Sequence, residues 1–271
     1  MKNFRNLLKT IMLVFTGLLF IGTLSAQDKP PPGELSDEEK AQANNPLANF
    51  KGLNMQVYFR PQLSEVENGA AHQEVARFVY PTGRILWRLS VPFEQRHINN
   101  STVNFSESGL GDIDLFGAYL AVMKPKLTFG IGPAIAFNTA SDASLGTGRN
   151  SLGAAAVVFA VPNPALQVGG LVLWRTDIGG DDSREKAHIL ALQPFYIFQA
   201  GKGLYFGGAP IIPINLTNGD YHIPLGMRIG KVIKIENTVL NFFLEPQPSL
   251  IVSGVGQPQF QIYGALNMQF K

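Results

Sequence analysis

From residue 50 to the end of the chain, apolar and polar positions alternate with a period of two. Leu53, Met55, Val57 and Phe59 alternate with Asn54, Gln56, Tyr58 and Arg60. Ile85, Trp87, Leu89, Val91 and Phe93 alternate with a mostly polar set, and Phe260, Ile262, Gly264, Leu266, Met268 and Phe270 close the chain in the same phase. A helix would repeat near 3.6 residues, so these stripes are strands with one apolar face. About twelve such segments can be drawn: 51–61, 73–80, 84–94, 111–123, 126–139, 150–161, 164–177, 186–199, 203–215, 220–234, 238–252 and 258–270. Many reach the roughly 9–11 residues that a tilted strand needs to cross a bilayer, against about 5–6 for strands of globular proteins.

The connections alternate as well. Short turns such as Pro81-Thr82-Gly83, Pro125, Asn163-Pro164 and Gly201-Lys202-Gly203 take turns with longer stretches at 62–72, 95–110, 140–149 and 178–185. Outer-membrane barrels have this asymmetry, with short turns on the periplasmic side, longer loops outside and an even strand number. A soluble sandwich has no reason to show it. The expectation is an all-β fold: a transmembrane antiparallel up-and-down β-barrel of about twelve strands, in the cell outer membrane. Its partners would be outer-membrane lipid and the barrel insertion machinery, which is expected to read the terminal aromatic strand ending at Phe270.

The first 49 residues are of different material. Residues 1–9 carry Lys2, Arg5 and Lys9, residues 11–24 are almost wholly apolar, and Ser25-Ala26 precede Gln27. That order is a secretory signal peptide over 1–26, its apolar run of roughly 14 residues being short of the about 20 a spanning helix needs. Residues 27–49, with Pro30-Pro31-Pro32 and an acidic stretch, read as a flexible leader or a plug, ahead of a barrel over 50–271. The absence of cysteine excludes a lipidated-cysteine anchor, disulfides and thiolate metal sites. A formal charge of +2 suggests no nucleic-acid partner, and 15 % charged residues is low beside the about 25 % of soluble domains.

Three stretches carry a family resemblance: Asn45-Pro46-Leu47, residues 87–92, and above all Ser108-Gly109-Leu110-Gly111-Asp112-Ile113-Asp114-Leu115, with Leu145-Gly146-Thr147-Gly148 further on. In these the chain, over about residues 45–271, resembles outer-membrane proteins described as transporters or MetA-pathway phenol-degradation proteins. The resemblance implies a barrel and uptake of small, aromatic or apolar solutes.

In a barrel the positions opposite the apolar stripe point into the lumen. They include Arg60, Arg77, Arg84, Arg88, Asp112, Asp114, Arg175, Arg228 and Glu245. Facing lipid near the midplane, such charges would cost on the order of 2–4 kcal/mol each. Inside, they form either a filling salt-bridge network or a constriction that sets selectivity. Phe116, Phe159, Leu171, Leu173, Phe195, Tyr205 and Tyr263 share that face and point to a packed interior or an apolar path. Trp87, Trp174, Tyr119, Phe242 and Phe270 suit interfacial girdles. Asp112 and Asp114 are expected to find an arginine, with Arg88 nearer than Arg84, and Gly109 and Gly111 to turn the backbone just before them.

An enzyme finds little support. None of the four histidines has serine two residues on, as the outer-membrane phospholipase would need, and no Gly-x-Ser-x-Gly elbow occurs. Residues 177–185 carry acids without the spacing of a calcium loop. No catalytic residue, metal or cofactor is expected; the function implied is passage of a small-molecule solute, with a closed structural barrel and, behind it, a lipid-modifying outer-membrane enzyme as the alternatives.

Overall fold

The computed structural model describes residue 39 and residues 42–270. The expected signal peptide and most of the leader lie outside the described residues. The strands are β1 (Lys51–Leu63), β2 (Gly69–Thr82), β3 (Ile85–Asn99), β4 (Asn104–Leu110), β5 (Asp114–Lys124), β6 (Leu127–Ala136), β7 (Arg149–Asn163) and β8 (Leu166–Gly180). They continue as β9 (Ile189–Gly201), β10 (Leu204–Gly208), β11 (Ile212–Asn215), β12 (Tyr221–Pro224), β13 (Arg228–Ile235), β14 (Thr238–Ser253) and β15 (Pro258–Phe270). Three pairs, β4 with β5, β10 with β11 and β12 with β13, continue one another, so the fifteen segments form twelve antiparallel walls. The sheet closes where β1 pairs with β15, Tyr58 opposite Tyr263, and the two rings stack there at 4.4 Å. Closure satisfies the edge groups that a bilayer would leave unpaired.

The period-two reading of the faces holds. Along β14 the residues Val239, Asn241, Phe243, Glu245 and Gln247 are buried while their neighbours are less so. The outer face exposes Phe78, Trp87, Tyr119, Val172, Trp174 and Phe198. Such a band is costly in water and suited to lipid. On one rim all five connections (83–84, 125–126, 164–165, 202–203 and 236–237) are two residues long, and those on the other rim run longer.

Where the walls differ from expectation, a backbone reason is visible. Residues 95–110 do not form a loop: β3 runs to Asn99 and β4 pairs back on it, making a hairpin with Arg96 opposite Glu107. The segment 203–215 breaks at 209–211 and the segment 220–234 at 225–227. Pro210 and Pro224 have no N–H to give to a ladder. The freed groups are met by side chains: Glu245 accepts from Ala209 N at 2.9 Å, Gln193 donates to Ala209 O at 3.0 Å, and Tyr196 Oη donates to Gly226 O at 2.6 Å. Gly226 is required here, because a Cβ on it would lie 2.9 Å from Pro210 and 2.2 Å from Glu245.

The barrel is not empty. In the half near the short turns, Leu86, Phe116, Leu120, Val157, Phe159 and Phe195 pack into one cluster, joined by Leu47 from the segment before β1. That segment enters from the short-turn rim. Ala43 O accepts from Asn241 at 3.3 Å and from Gln269 at 3.0 Å, and Asn44 Oδ1 accepts from Asn241 at 2.9 Å.

Candidate functional site

Above the apolar half, a ribbon of polar side chains crosses six adjacent strands. It starts on β13, where Arg228 meets Glu245 of β14 at 2.6 Å, the acid fully buried. Gln247 donates to Glu245 at 2.6 Å, Gln261 of β15 to Gln247 at 2.5 Å, and Arg60 of β1 to Gln261 at 3.1 Å. Arg60 also donates to Gln73 of β2 at 3.4 Å, and Gln73 to Glu94 of β3 at 2.5 Å. Each member sits two or four residues from an apolar inward neighbour, which is why one ring of the barrel wall can be polar while the next is apolar. Arg228 further lies 3.6 Å from the Phe243 ring centre. A buried ion pair returns about as much as its desolvation costs, so this ribbon fixes geometry more than it adds stability.

Two cavities flank the ribbon. One of about 430 Å³, toward the long loops, is lined by Arg60, Arg77, Asp112, Asp114 and Arg175 among others. The other, of about 170 Å³, lies toward the short turns and is lined by Arg77, Arg88 and Arg228 together with residues 43–46. Arg77 lines both, and is held by a 3.0 Å bond to Ser90 Oγ. Arg88 lies 5.1 Å over the Phe116 ring.

Arg84 joins neither cavity. It is exposed at the turn before β3, with its guanidinium 5.9 Å over the ring of Tyr119, itself an exposed residue of the outer face. A turn residue has left the pleat, so period-two counting does not apply to it. The expected arginine partner of Asp112 and Asp114 is also not found: among the described residues the ion pairs are Arg149–Asp177, Arg149–Asp182 and Arg228–Glu245. The register was not at fault, since Arg88 stands opposite Phe116 and Ser90 opposite Asp114. Asp112 falls in the break between β4 and β5, where its carboxylate turns to the loop 137–148. It accepts from Thr147 N at 2.7 Å, Thr147 Oγ1 at 2.8 Å, and Thr139 N and Ala140 N at 3.3 Å each. Backbone donors do the work assigned to arginine. Gly109 and Gly111 serve close approach rather than turning: a Cβ on them would lie 2.1 Å from Ser141 Oγ and 2.8 Å from Glu94 Cγ.

Replacing Asp112 by Asn should therefore loosen one loop. An amide offers N–H where one carboxylate oxygen now accepts, and at this half-buried site the mismatch costs about 1 kcal/mol. Faster proteolytic nicking within 137–148 is expected, with Asp114→Asn close to the parent. Equal nicking in all three proteins would refute the latch.

The clamp on the loop rim was not legible in the sequence. Arg149 binds Asp177 through both oxygens at 2.7 Å and Asp182 at 2.9 Å, tying the start of β7 to the end of β8 and to the acidic loop that follows it. Beside it Ser183 donates to Asp181, and on the neighbouring loop Ser144 donates to Asp142, holding both carboxyls below the ordinary aspartate range. The inward amides were a readable signal: Gln56, Asn241, Gln247, Gln261, Asn267 and Gln269 all keep the lumen phase.

A barrel of twelve walls around a partly filled, arginine-bearing lumen can be compared with known structures. The chain aligns with the COG4313 outer membrane channel from Pseudomonas putida F1 at a TM-score of 0.61 and 12 % identity, over 90 % of this chain and all of that one. The fold is that of an outer-membrane barrel. The NanC porin aligns more loosely, at a TM-score of 0.48 and 10 % identity over 82 % of this chain and 99 % of that one. No protein-family model matches the chain, and no curated protein matches it in sequence.

Proposed function

We propose that this barrel is an outer-membrane channel for small solutes, throttled from the periplasmic side by residues 42–50. The observation that carries this reading is a pair of cavities inside the barrel, one toward the long loops and one beside the docked segment, with Arg77 lining both. The resemblance of residues 108–115 to the phenol-degradation transporter family supports a solute with an aromatic or apolar body. A closed structural barrel is the rival, favoured by Leu47 at 3 % exposure within the apolar cluster.

Reconstitution in planar lipid bilayers separates the two. Discrete current steps from the purified chain, or from a variant lacking residues 27–48, are the expected result. Silence from both proteins, each shown to be folded by heat-modifiable migration on gels, leaves the closed barrel.

A further inference from the structure

Among the described residues, four buried side-chain polar atoms have no hydrogen-bond partner: Asn44 Nδ2, Gln56 Oε1, Arg88 Nε and Arg175 Nε. Three of the four, all but Arg175 Nε, belong to residues that line the smaller cavity. Buried polar groups are otherwise nearly always satisfied, so three orphans on residues around one cavity call for an explanation. The charge of that space is one-sided. Arg77, Arg88 and Arg228 line it and no aspartate or glutamate does. Arg228 is neutralised by Glu245 and Arg77 gives its Nε to Ser90, while Arg88 makes no ion pair among the described residues and its buried Nε has no hydrogen-bond partner. The wall formed by β7, β8 and β9 contributes Val157, Leu171 and Phe195, with no charged group.

We propose that this cavity is a binding site for a small organic carboxylate with an aromatic or short aliphatic body. The carboxylate would be gripped by Arg88, with Asn44 as a second donor, and the body would lie on the Val157–Leu171–Phe195 wall. An arginine presents two parallel N–H groups that match a carboxylate, which is a stronger and more directional contact than a neutral hydrogen bond. The volume suits such a ligand, since a cavity of about 150 Å³ lined by apolar groups takes a benzene-sized ring. An inorganic anion would satisfy Arg88 but leave the apolar wall wet. A neutral aromatic would fill the wall but leave the guanidinium desolvated and unpaired. Asn44 belongs to the segment before β1, so the ligand bridges that segment to the barrel wall.

This inference takes the solute of the proposed channel to be an acid, and its test is independent of conduction. Calorimetric titration of the detergent-solubilised full-length protein with sodium benzoate should show saturable binding. Benzyl alcohol and inorganic phosphate should each bind at least tenfold more weakly. Arg88→Gln should weaken benzoate at least tenfold and Arg88→Lys should recover part of that loss. Should Arg88→Gln not fold, Leu171→Phe, which fills the apolar wall, should weaken benzoate as well. Benzyl alcohol or phosphate binding as tightly as benzoate, or benzoate binding unaltered in both variants, would overturn the proposal. Benzoate binding by a protein that never conducts would sink the channel reading and keep the site; conduction without benzoate binding would do the reverse.

Discussion

The variant lacking residues 27–48 is expected to conduct several-fold more current per open channel than the intact chain. Among the described residues, the segment before β1 is held by Leu47, in the cluster beside Leu86 and Phe116, by the smaller buried Ala43, and by three hydrogen bonds that tie residues 43 and 44 to Asn241 and Gln269. Burial of one leucine is worth about 2 kcal/mol and each hydrogen bond about 1 kcal/mol net. Docking that rests on so few contacts should be reversible, and Leu47→Gln should shift it toward the undocked state. In planar bilayers that variant should flicker between the conductance of the intact chain and that of the deletion. A deletion variant that conducts no better than the parent would show that the constriction lies elsewhere, in the ribbon or the loops.

The second large effect concerns Glu245. Removing its charge by Glu245→Leu leaves Arg228, 9 % exposed, without a counter-ion, and strips Ala209 N and Gln247 Nε2 of their acceptor. Deleting one member of a buried pair costs on the order of 3–5 kcal/mol. The break at 209–211 should suffer first, since that backbone has no ladder partner to fall back on. Replacing both members, by Arg228→Met with Glu245→Met, removes the unpaired charge and should recover much of the loss, although Ala209 N stays unsatisfied. Urea unfolding in detergent, followed by heat-modifiable migration, measures all three proteins. A single substitution that costs under about 1 kcal/mol would mean that water reaches the pair and screens it.

Much of the fold was legible along the chain, and for a physical reason. A membrane barrel separates lipid from lumen at every second residue, so the pleat writes itself into the sequence as Leu53, Met55 and Val57 on one face and Asn54, Gln56 and Tyr58 on the other. The short turns were legible too, because a two-residue reversal demands particular residues; Gly83 and Gly203 have φ of +62° and +78°. The walls that carry breaks were less so. Alternation runs through 203–215 unchanged, while the missing N–H of Pro210 decides that the ladder stops.

What the sequence by itself determined was the direction in which the wall residues face: Arg60, Arg77, Arg88, Asp114, Arg175, Arg228 and Glu245 all lie on the inward side of their strands. What only the tertiary structure decided was which of them meet. Arg228 finds Glu245 because β13 and β14 are hydrogen-bonded neighbours, and Asp112 finds a loop thirty-five residues away instead of the arginine one wall over. Facing is a local property of the pleat. Pairing depends on strand stagger, on where a ladder breaks and on which segment returns into the lumen, and those are set by contacts between residues far apart in the chain.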